Sequence, residues 1–302
     1  MKRIEVLGLE TIPKIQDGDD LAQIIADSAQ KEIAGLKEKD IVVLTSKIVS
    51  KAHGLTIKMD DVIPGKRAKY ISRKTGKDAQ WLQMIFDEGH EIVAIMPLRG
   101  LMEKHIFNAS RDAACAEELV EHEQAVCITR SKDGRIHTCD AGIDGSNHEK
   151  GVLSLLPKDP DASAKQIRGE LEEIAGVKLA VVLADTEMIP FGTMDFAIGS
   201  SGIAPVSKLF GQKDIYGKPK FGGMDLTVHE ICSACALVFG QAGAGVPAAI
   251  IRGYDYQIDE NANIKNTILA GSENAAQAIR ETIIATSYVH GPVKRILMKI
   301  AA

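Results

Sequence analysis

No stretch of this 302-residue chain stays apolar long enough to cross a bilayer. A run such as "LAVVLA" at 179–184 falls far short of the roughly 20 residues required. The opening "MKRIEVLGLE" holds no apolar core of signal-peptide length, so the expectation is a cytoplasmic protein without a membrane partner. A basic excess is missing too. The formal net charge is −5, whereas nucleic-acid-binding domains are usually strongly positive, so no nucleic-acid partner is expected. Five cysteines, Cys115, Cys127, Cys139, Cys232 and Cys235, are odd in number and scattered, which suits reduced thiols better than a disulfide framework.

Familiar catalytic signatures are missing as well. There is no G-x-S-x-G elbow, and the serines of "IGSSGIA" have no recognisable partner. "GQKDIYGKP" (211–219) approaches a P-loop, but its spacing is one residue too long and Pro219 stands where a metal-binding hydroxyl belongs. It is rejected. His229, Cys232 and Cys235 fall three apart on one predicted helix, yet a structural zinc needs four ligands and the sequence offers no second cluster. Buried cysteines on an apolar helix are the better reading.

What remains is an ordinary globular composition, 45% hydrophobic, with enough chain for one large domain or two medium ones. "RIEVLGL" alternates like a strand. "DDLAQIIADSAQKEIAG" reads as a helix with Leu21, Ile24, Ile25 and Ala29 on one face, and "DIVVLTS" as a buried strand. The segment 55–123 is less regular, with one clear helix, "DAQWLQMIFDEG", and one strand, "EIVAIMPL". "AVCITRSKDGRIHTC" reads as a hairpin that delivers the chain into "CDAGIDGSNHEKG". A helix over "DPDASAKQIRGELEEIAG" precedes a buried strand, "VKLAVVLADTE", expected to end in Asp185 and Thr186. An apolar helix closed by Gly240, a turn "QAGAG", a strand "VPAAIIRG" and a last helical region over 273–298 complete the chain.

Two acids, Asp144 and Asp185, thus lie near predicted strand ends, where α/β-type proteins gather ligand sites. With Thr186 and an amide from Asn147 or Gln241 they form an all-oxygen set, better suited to Mg²⁺ or Mn²⁺ than to zinc. Two readings stay open, because Asp also caps turns for purely local reasons. "GQAGAG" (240–245) follows a helix and precedes a strand, the reverse of the dinucleotide-binding order. Its bare amides suit either a phosphate nest or a plain turn. Ser46, Lys47, Ser50 and Lys51 follow a buried strand directly, facing either solvent or phosphate.

"LTSKIVSKAHG", "CDAGIDGSN", "LLPKDPDASAKQIR", "VVLADT", "AIGSSGIAP", "KDIYGKPKF" and "LVFGQAGAGVPAAIIRG" occur together in a recognisable order. In this the chain resembles the coenzyme F420-0:L-glutamate ligases, gamma-glutamyl ligases that extend a deazaflavin carrier using GTP. The resemblance covers most of residues 1–255. It implies an α+β fold of mixed sheets with flanking helices, neither Rossmann nor P-loop. A catalytic region over 1–255, with two intertwined subdomains, would be followed by a helical extension over 256–302.

By position, the resemblance implies that Asp144, Asp185, Thr186 and Gln241 hold two divalent ions, Mg²⁺ or Mn²⁺, with K⁺ a further candidate. Ile12, Pro13, Lys14 and Ile15 match one nucleotide-contacting segment; Ser46, Lys47, Lys51 and Asn147 match others. The turn formed by Phe239, Gly240, Gln241, Ala242, Gly243, Ala244, Gly245 and Val246 completes the expected GTP contacts. Lys51, Asp144 and Asp185 are the implied catalytic groups, serving a homodimer that joins L-glutamate to the carboxylate of F420-0 through an acyl phosphate. One departure stands out: no arginine occurs between Thr186 and Arg252, where the family carries a Gly-Arg and a second Arg soon after the Asp-Thr pair. Beside the leading reading stand a ligase for a different carboxylate and a non-catalytic nucleotide-binding protein.

Overall fold

A computed structural model describes residues 2–106, 113–122, 124–132, 134–189, 192–240 and 242–264, with scattered residues from 281 onward. Most of the helical region expected over 273–298 lies outside the described residues, as does Gln241. In chain order the elements are β1 (Glu5–Gly8), α1 (Leu21–Ile33), β2 (Ile41–Thr45), α2 (Ser46–Ala52), β3 (Thr56–Lys58), α3 (Lys66–Thr75) and α4 (Ala79–Asp87). There follow β4 (Glu91–Met96), α5 (Leu98–Glu103), α6 (Ala113–His122), β5 (Val126–Arg130), β6 (Ile136–His137) and β7 (Val152–Ser154). Then come α7 (Pro160–Ala175), β8 (Ala180–Ile189), β9 (Gly192–Ile203), α8 (Thr227–Phe239), β10 (Ala248–Arg252) and β11 (Ile258–Asp259).

Six strands form the main sheet in the order β1-β10-β2-β8-β9-β11. Only β2 and β8 run parallel; every other neighbouring pair is antiparallel. The apolar runs that announced β2, β8 and β10 are explained by burial on both faces. Along β2, Val42 and Leu44 join α1 and α7 in one core, while Ile41 and Val43 join α8 in another. Successive side chains point to opposite faces, so each strand feeds both cores. The fold is α+β with a mixed sheet and helices on both sides, as the family resemblance implied.

Helix ends follow their local chemistry. Asp20 accepts from the Gln23 N–H at 3.0 Å to start α1, and Asp159 from Ala162 at 3.1 Å to start α7, with Pro160 in its first turn. Gly176 then closes α7 in the left-handed conformation.

One expectation is corrected. β8 does not end at Asp185 and Thr186; it runs on to Ile189, because β9, which was not foreseen, pairs with it as a long antiparallel partner. The pairing shifts register between Leu183 and Ala184, just before the two site residues.

Residues of the 55–155 segment build a third core, with Trp81, Leu82, Met84 and Ile85 of α4 packed against Cys127, Ile143 and Leu153. Here the expected hairpin is present as β5 and β6, joined to β4 in a three-stranded sheet. Beneath it lies a buried ion pair. Lys77 Nζ sits 2.6 Å from Asp140 Oδ2 and 4.5 Å from the Trp81 ring centroid, and the Cys127 N–H donates to Asp140 Oδ1 at 2.8 Å. Asp140 and Ala141 both have positive φ (50° and 62°), a costly backbone held in place by these bonds. Removing one partner of a buried pair strands the other charge, so Lys77→Ala is expected to lower the unfolding free energy by about 3–5 kcal/mol in urea denaturation. A loss well under about 1 kcal/mol would mean that the pair does not hold this loop.

Candidate active site

A cavity of about 990 Å³ opens where β2, β8, the 139–151 loop and the 240–247 turn meet. The parallel pairing of β2 with β8 sets Thr45 beside Ala184, so the first residue of α2 follows on one strand and Asp185 on the other. Ser46 Oγ donates to Asp185 Oδ1 at 2.7 Å. One helical turn along α2, Lys47 and Lys51 reach toward the 139–151 loop. Lys47 Nζ lies 2.7 Å from Asp144 Oδ2 and also donates to Ser146 Oγ. Lys51 Nζ donates to the Asn147 carbonyl at 2.7 Å.

The loop itself is fixed by its backbone. Asp144 and Ser154 exchange N–H···O bonds of 3.1 and 2.8 Å, tying the loop to the end of β7. Gly145 packs closely here: a Cβ would come within 2.8 Å of Leu153 Cδ2 and would have to displace that side chain. The Asp144 side chain then turns back on its own loop, accepting from the Ser146 N–H at 2.6 Å and the Ser146 hydroxyl at 3.1 Å.

These environments drive the two acids apart. Burial pushes the Asp185 carboxyl up to about 7; the Ser46 hydroxyl opposes this, while the carboxylates of Glu187, Asp144 and Asp195 add to it. Burial also works against ionisation of Asp144, but the Lys47 ammonium and the Ser146 donors outweigh it and hold that carboxyl below its usual range. Burial, then the neighbouring Lys47, lowers Lys51, with Asp144 acting in the opposite sense. His148, beside them, is lowered by burial and by both lysines.

Of the residues singled out from the sequence, Ile12, Pro13, Lys14, Ile15, Ser46, Lys47, Lys51, Asn147, Asp144, Asp185 and Thr186 all line this one cavity. So do Phe239, Gly240, Ala242, Gly243, Gly245 and Val246 of the turn, where Gly243 and Gly245 face open space. Ala244 does not reach the lining. The rejected P-loop lies elsewhere, as an exposed excursion with Ile215 92% accessible. His229 ligates nothing with the cysteines: its Nδ1 accepts from the Ala197 N–H at 3.0 Å, while Cys232 and Cys235 are fully buried in the core under α8.

Sequence reasoning missed Ser146 and Asp195. Asp195, on the unforeseen β9, is paired with Thr186 across the strands and accepts from its hydroxyl at 2.7 Å. The described lining carries five acids, Asp17, Asp144, Glu149, Asp185 and Asp195, against three lysines, Lys14, Lys47 and Lys51. Among the described residues no three His, Cys, Asp or Glu side chains form a metal-ligating cluster. Any cation here would rest on one or two carboxylates and a hydroxyl, a set that suits Mg²⁺, which keeps waters and takes phosphate oxygens.

The family model described as F420-0:Gamma-glutamyl ligase matches residues 10–253. The chain belongs to this family. It is 32% identical over 268 residues to the coenzyme F420:L-glutamate ligase of Methanosarcina mazei, covering 88% of this chain and 92% of the relative. The namesake from Methanothermobacter thermautotrophicus is 34% identical over 255 residues, 84% and 90% of the two chains. That from Archaeoglobus fulgidus is 32% identical over 253 residues, 83% and 88%. The matched span takes in every element that lines the cavity.

Lys14, Lys47 and Lys51 give one side of the wall the charge to meet a polyanion. Lys51→Met is expected to weaken binding of inorganic triphosphate in the presence of Mg²⁺ about tenfold, since one close charge pair at intermediate dielectric is worth more than 1 kcal/mol. Unchanged affinity in a competition titration would place the polyanion away from α2.

Proposed function

We propose that this protein is a GTP- and divalent-metal-dependent ligase that joins L-glutamate to the carboxylate of F420-0 through an acyl phosphate, working as a homodimer. The observation that carries the reading is the charge arrangement of one cavity: five acids and three lysines share a wall with an open glycine turn. A triphosphate alone would be repelled by such a wall. With divalent cations between them, acids and phosphates become compatible, which is the usual arrangement for phosphoryl transfer. The donor chemistry fits Mg²⁺ or Mn²⁺, since the raised Asp185 carboxyl is a half-buried acid among other acids and gains most from a cation.

In this reading Asp144, Asp185 and Thr186 hold the cations, which when bound neutralise phosphate charge; Gln241 is assigned with them by position alone. Lys51 and Lys47 face the phosphates as point charges, and the 239–246 turn presents backbone amides to them. The acceptor carboxylate attacks the terminal phosphorus of GTP, GDP leaves, and the amine of glutamate then attacks the acyl carbon and expels phosphate. No protein nucleophile takes part; among the described residues, burial pushes the Cys127 and Cys235 thiols up to about 12, away from the reactive thiolate.

A second reading keeps the nucleotide and cations but changes the acceptor. It is favoured by one observation, the lack of any arginine between Thr186 and Arg252, since arginine is the usual bidentate partner of carboxylate and phosphate. One assay separates the two. With GTP, Mn²⁺, L-glutamate and F420-0, the first reading gives GDP and an acceptor heavier by one or more glutamyl units in mass spectrometry. GDP released only with some other carboxylate selects the second. Asp144→Ala and Asp185→Ala are each expected to reduce turnover at least 100-fold, a loss of about 2.7 kcal/mol of transition-state stabilisation. Full turnover in both variants would remove the proposed metal site.

A further inference from the structure

A threonine hydroxyl carries one proton and two lone pairs, so where its proton goes decides what else it can bind. Thr186 Oγ1 gives its proton to Asp195 Oδ1 at 2.7 Å. The acceptor is held from several sides. Asp195 faces Thr186 as its cross-strand partner in the β8–β9 ladder, and it is 4% exposed. Helix α8 fixes the backbone at and just after it: Ser233 Oγ donates to the Asp195 carbonyl at 3.1 Å, and His229 Nδ1 accepts the Ala197 N–H two residues on. Asp195 and Thr186 share the wall of the large cavity with Asp185.

We infer that Asp195 is a positioning residue that commits the Thr186 hydroxyl to being an acceptor, so that its lone pairs receive a divalent cation and it cannot donate to a phosphate oxygen. Without Asp195 the hydroxyl is free to rotate and to give its proton to phosphate. The bond therefore sets the chemical sign of this position, acceptor for cation rather than donor for anion. The inference rests on the divalent-cation reading above and adds to it a residue that is neither a ligand nor part of the phosphate contacts. Partners of this kind generally contribute 10–100-fold to metal affinity.

The test is Mn²⁺ binding to the full chain, with free Mn²⁺ counted by electron paramagnetic resonance, and thermal melts confirming that each variant is folded. Asp195→Ala is expected to weaken Mn²⁺ about tenfold, and Thr186→Val by a similar factor. The double variant should bind no more weakly than Thr186→Val alone, because the two residues act as one unit. Asp195→Asn keeps an acceptor oxygen for the hydroxyl and should recover most of the affinity, a rescue that direct ligation of the ion by the Asp195 carboxylate would not allow. Measurable Mn²⁺ binding in the wild type, unchanged in Asp195→Ala, overturns the inference while leaving the cation reading intact; so do losses that add in the double variant. No Mn²⁺ binding by the wild type overturns the cation reading itself, and the inference with it. If Asp195→Ala does not fold, Asp195→Asn carries the cycle: it must hold Mn²⁺ within about threefold of wild type, and a loss as large as that of Thr186→Val overturns the inference.

Discussion

The parallel pairing of β2 with β8 is the constraint on which the site depends. A parallel pair brings equivalent ends of two strands to the same edge, and here the register sets Thr45 opposite Ala184. The next residue on each strand is polar. Ser46 opens α2 and Asp185 continues β8, so a hydrogen bond of 2.7 Å joins the two at the point where the apolar ladder gives out. Slip this register by one residue and Asp185 would leave the face it shares with Val181 and Leu183 for the opposite one, into the apolar core of Val182 and Ala184 under α8, where a carboxylate has no partner. Burial of both sheet faces makes the register strict, and a strict register is what holds the acid at the cavity wall.

From that fixed edge the charges sort themselves. Helix α2 carries Lys47 and Lys51 across the cavity to the 139–151 loop, where Lys47 meets Asp144 and Lys51 meets a backbone carbonyl. Asp144 is therefore an acid already satisfied by a cation, and Asp185 an acid raised by burial and by other acids. Two carboxylates of one chain thus reach opposite electrostatic states through their surroundings alone. Behind the loop, the buried Lys77–Asp140 pair takes a lysine and an acid out of the site altogether and uses them to anchor the left-handed turn that aims Asp144. A buried pair of this kind adds specificity of position more than net stability.

Much of the frame was legible because both-faced burial writes itself as unbroken apolar runs. "DIVVLTS", "LAVVLA" and "VPAAIIRG" became β2, β8 and β10, and the helices α1, α4 and α7 carried their own N-caps in Asp20, Asp78 and Asp159. β9 was not legible, for a physical reason. Its "AIGSSGI" segment is built of small residues since neighbours crowd it: a Cβ at Gly199 would lie 2.4 Å from the Pro160 carbonyl, and one at Gly202 2.8 Å from Arg168 Nε. Closeness of packing erased the β-branched signature by which strands are recognised. With β9 went the extent of β8 and the role of Asp195. Of the site, the oxygen chemistry was visible in the residues, but its choice over simple turn capping came from the family pattern. Lys77 was not visible at all, since nothing in "KTGKDAQW" separates a buried lysine from the solvated ones beside it.

Beyond Thr186 the chain carries no arginine before Arg252, and the geometry gives this part of the strand another task. Glu187 occupies the position after the Asp-Thr pair, and its carboxylate is engaged within the fold: it accepts from Thr138 N–H and hydroxyl at 2.5 and 2.6 Å and meets His137 Nδ1 at 3.2 Å. Met188 N–H in turn donates to the same Thr138 hydroxyl at 2.6 Å. These bonds strap β8 to the β6 end of the small sheet, so backbone that could serve a ligand serves the junction of two cores instead. Full positive charge on the described cavity wall then comes only from Lys14, Lys47 and Lys51. In the proposed reaction, recognition of anionic groups at this wall would fall to ammonium points on flexible stems rather than to planar forks. A lysine set tolerates more variation in the shape of an anion than an arginine fork does, and binds it with less geometric discrimination. In the proposed reaction, selectivity for the acceptor would arise from the walls that strap and shape the cavity, more than from any single charged contact.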